Sequence, residues 1–386
     1  MSDEVLLIDD ADRYGRLRLI SWWRQEKLRA AKVLVVGAGA LGNEVLKNLA
    51  LLGVGHVFII DFDTIESTNL TRAVLYRSAD RGKPKSERAA RAVQEINPDV
   101  RVRHLHGNVI TDLGLGVFAE MDVVLGCLDN REARLWINRQ CWKAGRPWVD
   151  GAIQEISGVV KVFVPPDSAC YECAMTERDY QLINLRYSCP LLRREDVAEG
   201  KVPTAPTISS IVAGLQTQEA LKVLHGIPVQ AGAAMVFNGE SNNFYTTRYQ
   251  RKEDCLSHET YGAPIDVPMG ASGTVEELLA STGGRVLHLD RDLLVGLECP
   301  SCGVKTEVMK PLVRVGQKEG LCPRCGGVMR TTIVHSVERG GPLGGRTLRE
   351  VGVPPYDVVK VETARAGVYA RLAADRTGSL AWEEKT

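Results

Sequence analysis

The sequence predicts an α/β protein built on a doubly wound, mostly parallel sheet, followed by a small β-rich unit. Three observations carry that prediction. Short apolar runs alternate with helix-spaced segments through the first half of the chain, as βα units do. A glycine motif, Gly37-Ala-Gly39-Ala-Leu-Gly42, falls between the first apolar run and the first helical pattern. Late in the chain the alternation gives way to two Cys-x2-Cys pairs and a glycine-rich break at Gly340–Gly345.

Taken in order, KVLVVG (32–37) reads as a buried strand and the segment from Asn43 to Leu52 as a helix. HVFIID (56–61) is the next strand, with a helical stretch around Ser86–Ile96. VRVRHLHG, DVVLGC (122–127) and RPWVDG supply further strands. GVVKVFVPP (158–166) alternates and ends in Pro-Pro, which predicts an antiparallel addition. From Ala174 to Pro206 the pattern becomes charged and irregular, a length of loop that usually carries function. Ile208, Ile211, Val212 and Leu215 then give the spacing of a core-packed helix, and 234–251 reads as a hairpin turning at Gly239–Asn243. The main boundary falls near residue 260. Beyond it come a helical pattern at Val275–Ala280, the Cys-pair module, and DVVKVE…VYARLA, a further hairpin.

The 386 residues carry 48 Lys+Arg against 48 Asp+Glu, and this balance argues against non-specific binding to nucleic acid or an anionic membrane. A charged fraction of 25% with 44% hydrophobic residues excludes wholesale disorder. No transmembrane segment is visible. The acidic MSDEVLLIDDAD lacks the layout of a signal peptide, so a cytoplasmic location is expected.

Glycines at 37, 39 and 42 permit a tight turn and close approach of backbone to phosphate at a helix N-terminus, a Rossmann-like feature. Asp61 and Asp63, at the end of the next strand, suit a ribose hydroxyl. An NAD-dependent dehydrogenase would share these features. Asn69-Leu-Thr-Arg72 and Gly82-Lys-Pro-Lys85 separate the two readings, because a transferring triphosphate needs cations and a nicotinamide does not. Cys127-Leu-Asp129-Asn130 adds a carboxylate suited to Mg²⁺ held with phosphate oxygens. Singly, Lys83 and Lys85 could be a solvated loop and Asp129 a helix N-cap.

GAGALG, DFDTIESTNLTR, GKPKS, Ile96-Asn97-Pro98 and CLDN, in this order, resemble the ThiF/MoeB/ubiquitin-activating enzyme superfamily over about residues 10–255. The resemblance implies an adenylation domain at 1–260, with a crossover loop at about 174–206. It implies that Asp61 binds the ribose of ATP, that Thr68, Asn69 and Arg72 contact the nucleotide, that Lys85 meets the phosphates and that Asp129 holds Mg²⁺. Arg13-Tyr-Gly-Arg16 resembles the family's N-terminal Arg-Tyr-x-Arg, which implies that Arg16 reaches a partner subunit's phosphate site in a homodimer. The reaction implied is adenylation of the C-terminal Gly of a ubiquitin-like protein. Cys189, in Tyr187-Ser-Cys189-Pro190, falls where the family's crossover-loop cysteine does. Nearby Arg186, Arg193 and Arg194 favour a thiolate that accepts the acyl group as a thioester, with a conjugating (E2-like) enzyme or a target to follow. The alternatives for Cys189 are an inert thiol or a metal ligand; Cys127 and Cys141 read as core cysteines.

Cys299/Cys302 and Cys322/Cys325, with 19 residues between the pairs, fit a Cys₄ zinc ribbon within 261–330, ahead of a small β-rich segment at 331–386. Cys170 and Cys173 need two more ligands. Where the family commonly supplies a second Cys-x2-Cys, this chain has Cys255-Leu-Ser-His258, so a Cys₃His zinc site is expected. The function expected is ATP-dependent activation of a ubiquitin-like protein. The rivals are a sulfur-carrier adenylyltransferase, as in thiamine or molybdopterin synthesis, and a nucleotide-binding scaffold.

Overall fold

The structure, a computed structural model, describes residues 12–184 and 203–382. The first half runs Gln25–Ala30 (α1), Lys32–Val36 (β1), Ala40–Leu52 (α2), His56–Asp61 (β2), Lys85–Ile96 (α3), Arg101–His106 (β3), Leu115–Glu120 (α4), Val123–Gly126 (β4), Arg131–Ala144 (α5), Trp148–Gln154 (β5) and Ser157–Phe163 (β6). Glu177–Asn184 (α6), Pro206–His225 (α7), Ala233–Asn238 (β7) and Asn243–Arg248 (β8) complete it. The sheet order is β3-β2-β1-β4-β5-β6-β7-β8. Pairings from β3 through β5 are parallel and those from β5 to β8 antiparallel. The antiparallel addition and the 234–251 hairpin are thus present.

Residue period sets the layers. Successive strand side chains point to opposite faces. Val33 and Val35 of β1 therefore enter the core under α2, α3 and α7, while Leu34 and Val36 enter the core under α4 and α5. Both faces are covered, which is why β1, β2 and β4 are continuous apolar runs. Proline at the first position of α7 starts that helix at no hydrogen-bond cost.

The remainder is Ile265–Val267 (β9), Val275–Thr282 (α8), Gly284–Glu298 (β10), Lys305–Pro311 (β11), Arg330–Glu338 (β12), Val358–Thr363 (β13) and Gly367–Leu372 (β14). Thr274 and Glu277 exchange side-chain and backbone hydrogen bonds at the start of α8, a capping box. A second sheet has the order β11-β10-β13-β14-β9, with β12 also paired to β10. The 15-residue β10 reaches from the main body of this sheet into the cysteine module, so strands from both 261–330 and 331–386 share one sheet. Among the described residues, no helix is long and apolar enough to cross a membrane.

Candidate nucleotide site and metal centres

Strand order reverses at β1, whose neighbours β2 and β4 lead to opposite sides of the sheet, and such a switch point opens a crevice at the carboxyl ends of the strands. Gly37 leaves β1 there with φ +96, and a Cβ on it would meet the Cys127 carbonyl oxygen at 2.4 Å. Gly42 is equally constrained, since a Cβ would lie 2.0 Å from the Gly37 carbonyl oxygen. Gly39 borders open space and begins α2 with no side-chain cap among the described residues. The first amides of α2 thus face the crevice as an anion cradle.

The crevice is a cavity of about 1000 Å³. It brings together Gly37, Gly39, Asp61, Asp63, Thr68, Asn69, Arg72, Lys85 and Asp129, residues spread over more than ninety positions of chain. Gly42 lies outside its lining and serves the close packing of α2 on the loop. Arg16 is exposed in the N-terminal turn, also outside the lining. Cys189 falls outside the described residues.

The carboxylate of Asp61 accepts the Ala38 amide at 2.7 Å and the Asp63 amide at 2.7 Å, which ties the glycine loop to the end of β2. Burial raises its carboxyl above the ordinary range against the pull of Lys85 and these amides. Lys85 donates to Asp63 at 2.7 Å from a largely buried position at the start of α3. Asp63 is therefore engaged by a lysine, whereas Asp61 organises backbone. Asn130, not Asp129, caps α5 by accepting the Ala133 amide at 2.7 Å, so the cap alternative for Asp129 fails and its carboxylate stays exposed at the cavity.

Several supporting residues escaped the sequence reading. Asn43 donates to the carbonyls of Ala38 and Gly39 and accepts the Leu75 amide, and Tyr76 donates to Ala38 at 2.6 Å. At the cavity wall, which Arg134 and Lys161 both line, the Arg134 guanidinium pairs with fully buried Asp150 at 2.9 Å and also donates to the carbonyls of Leu128 and Gly151. Lys161 lies 3.6 Å from the other Asp150 oxygen, its ammonium pKa lowered by burial. These contacts hold Leu128, next to Asp129, in place. The available signal was charge inside strands: Asp150 ends an apolar run and Lys161 interrupts GVVKVFV.

The metal-ligating residues form two clusters. Cys170, Cys173, Cys255 and His258 have their donor atoms within 4.8 Å of one another, as do Cys299, Cys302, Cys322 and Cys325. The sulfurs of Cys170 lie 3.7 Å from Cys173 and 3.5 Å from Cys255, and Cys173 Sγ is 3.3 Å from His258 Nε2. In the second cluster Cys299–Cys325 and Cys302–Cys322 are both 3.5 Å. Tetrahedral zinc with bonds of about 2.3 Å spaces sulfurs about 3.8 Å apart, whereas a disulfide needs about 2.05 Å, so both donor sets fit zinc. A hydrogen bond from Cys255 lowers the Cys170 thiol below its ordinary range and raises that of Cys255 in turn. Cys127 and Cys141 are buried core residues.

The ThiF family model matches residues 12–257. Among curated proteins the chain is 32% identical to ubiquitin-like modifier-activating enzyme 5 of Dictyostelium discoideum, over 58% of this chain and 61% of that protein. It is likewise 32% identical to the sulfur carrier protein adenylyltransferase of Thermus thermophilus, over 64% of this chain and 90% of that one. The chain thus spans only about six tenths of the Dictyostelium protein's length. Among solved structures, E. coli MccB with ATP superposes with a TM-score of 0.55 at 25% identity, covering 67% of this chain and 77% of MccB. The glycine-loop crevice, its convergent charges and the match over 12–257 agree: the chain belongs to the ThiF family.

Proposed function

We propose that the chain is an ATP-dependent activating enzyme for a ubiquitin-like protein. The carrying observation is the convergence of Asp61, Arg72, Lys85 and Asp129 with the glycine loop in one cavity, which continues over β5–β8 past Ile153, Ser157, Val236 and Tyr245. ATP would lie with its phosphates towards the α2 amides, Arg72 and Lys85 and its ribose at Asp61. The groove over β5–β8 would take the extended C-terminal tail of the carrier. A carboxylate oxygen of its terminal Gly attacks the α-phosphorus, and the bond to the bridging oxygen breaks as pyrophosphate leaves. Arg72 and Lys85 offset charge moving among phosphate oxygens, and Mg²⁺ bound at Asp129 supplies further charge stabilisation. The Cys189 thiolate then displaces AMP from the acyl group, and the thioester passes to a conjugating enzyme or target. Arg16, outside its own chain's cavity, would complete the site of a second copy in a homodimer. Reduced cysteines and zinc suit a cytoplasmic setting.

The second reading, a sulfur-carrier adenylyltransferase that stops at the adenylate, is favoured by the near-complete coverage of the Thermus relative. Pyrophosphate exchange and adduct mass spectrometry together separate these. Asp129→Ala should lower ATP–pyrophosphate exchange about 100-fold or more; exchange at the wild-type rate refutes the Mg²⁺ role. Cys189→Ala should retain exchange yet lose a thiol-labile adduct of roughly 8–12 kDa in non-reducing mass spectrometry. Exchange without an adduct in the wild type supports the sulfur-carrier reading. Background exchange with every carrier supports the scaffold, and NAD binding tighter than ATP binding the dehydrogenase.

A further inference from the structure

We propose that the C-terminal module completes the nucleotide pocket, with Val313 forming the wall that faces the base and Arg314 positioning the loop between β3 and α4. The inference deepens the proposed ATP site and rests on it. Phosphates directed to the glycine loop on β1 and ribose at Asp61 on β2 leave the base over the next strand outward, β3. The residues that follow β3, Gly107 to Ile110, line the cavity there, and so does Val313, from a turn just over two hundred residues away beside the cysteine ribbon. Val313 is partly buried against the same apolar cluster as Val109 and Ile110.

The loop it meets is fastened from the C-terminal side at several points. Arg314 donates to Thr111 Oγ1 at 2.9 Å and ion-pairs with Asp112, whose other oxygen accepts the Asn108 amide at 2.8 Å. Arg291 donates to the carbonyls of Ile110 and Leu113, stacks on Trp136 at 4.5 Å, and pairs with buried Asp357 at 3.1 Å. Asp357 in turn accepts the Leu115 amide at 2.6 Å. Backbone runs against backbone at the same place: a Cβ on Gly114 would lie 2.5 Å from the Pro355 carbonyl oxygen, and one on Gly116 2.3 Å from that of Tyr356. The turn itself is set by the ribbon, because Leu312 and Val315, on either side of Val313-Arg314, sit in the small core with Cys299, Cys322 and Met329. A base-binding wall is therefore built from one module on a loop of the other.

The test is equilibrium titration of the full-length, zinc-loaded protein with ATP, which needs no carrier. Val313→Asp places a charge against the base and should weaken ATP binding about tenfold, while Val313→Ile should stay within about twofold. Arg314→Ala, acting through the loop, should weaken ATP binding about fivefold in the same titration, and Arg314→Lys, which keeps a positive charge facing Asp112, should recover part of the loss. Asp112→Asn, which keeps an oxygen for the Asn108 amide and loses the ion pair, should cost little more when added to Arg314→Ala. Circular dichroism and zinc content matching wild type show that the variants are folded. Wild-type affinity in folded Val313→Asp overturns this inference alone. Absence of ATP binding in the wild type overturns the proposed function and the inference with it.

Discussion

The two cysteine clusters offer one metal the same kind of donor cage but sit in opposite surroundings. Cys170 and Cys173 are buried in the core between the sheet, α4 and α5, with the His258 ring stacked on Trp142 at 5.6 Å. Between them, Glu172 accepts hydrogen bonds from Ser257, from Arg139 at 2.9 Å and from Tyr180 at 2.9 Å, so one carboxylate joins the cage to α5 and α6. The ribbon cluster has only a handful of apolar neighbours, among them Leu294, Leu297, Leu312, Val315 and Met329, and Cys325 is exposed. The first cage is held by a core that exists without it. The second replaces a core too small to hold itself.

That contrast fails or sharpens at defined points. Cys322→Ser should have the largest effect. Structural zinc is worth about 10 kcal/mol or more in such modules, so zinc content should fall from two to one per chain and 299–330 should become open to protease while the ThiF unit stays folded. Two retained zinc equivalents would contradict the ligand assignment. Glu172→Ala comes next: it leaves buried Ser257 and the half-exposed Arg139 without their partner and should cost about 1–3 kcal/mol, with both zinc ions kept. A melting temperature equal to wild type would show that the surrounding core, not this carboxylate, fixes the cage.

The smallest effect concerns the junction of the two modules. Glu120 at the end of α4 has its carboxyl lowered to about 2: burial raises it, but Arg376 and the Tyr356 hydroxyl more than offset this. A folded-state pKa below the ordinary 4.5 means stability that is fully present above about 4.5 and lost as pH falls towards 2. Given its partial exposure the contribution is about 1 kcal/mol. The melting difference between wild type and Glu120→Gln should be present at pH 6 and shrink between pH 4.5 and 2; a difference constant with pH would rule out the ion pair as its source.

Much of this was readable along the chain because it depends on local order. The apolar period of β1 and β2, the glycine spacing at 37–42, Pro206 at the start of α7 and the Cys-x2-Cys pairs each encode their element within a few residues. The pairing of Cys170/Cys173 with Cys255/His258 was also legible, but only through the family resemblance, which implies a second ligand pair at that place in the chain. Asn43, Arg134, Asp150 and Glu172 were not, because a buried polar side chain is defined by partners far away in sequence. The same holds for Asn130 in place of Asp129 as the α5 cap, a choice between neighbours made by backbone geometry.

The sequence by itself determined a doubly wound sheet, a glycine loop beneath a helix N-terminus and the Cys₄ donor set of the ribbon, since strand period, turn chemistry and ligand spacing are local. Only the tertiary structure decided that β10 carries the ribbon back towards the nucleotide crevice, that Arg291 and Arg314 fasten the loop after β3, and that Val313 closes the cavity wall. Those contacts join residues about two hundred positions apart. No period or motif specifies them; they follow from close packing of apolar surfaces and from the need of each buried charge for a partner.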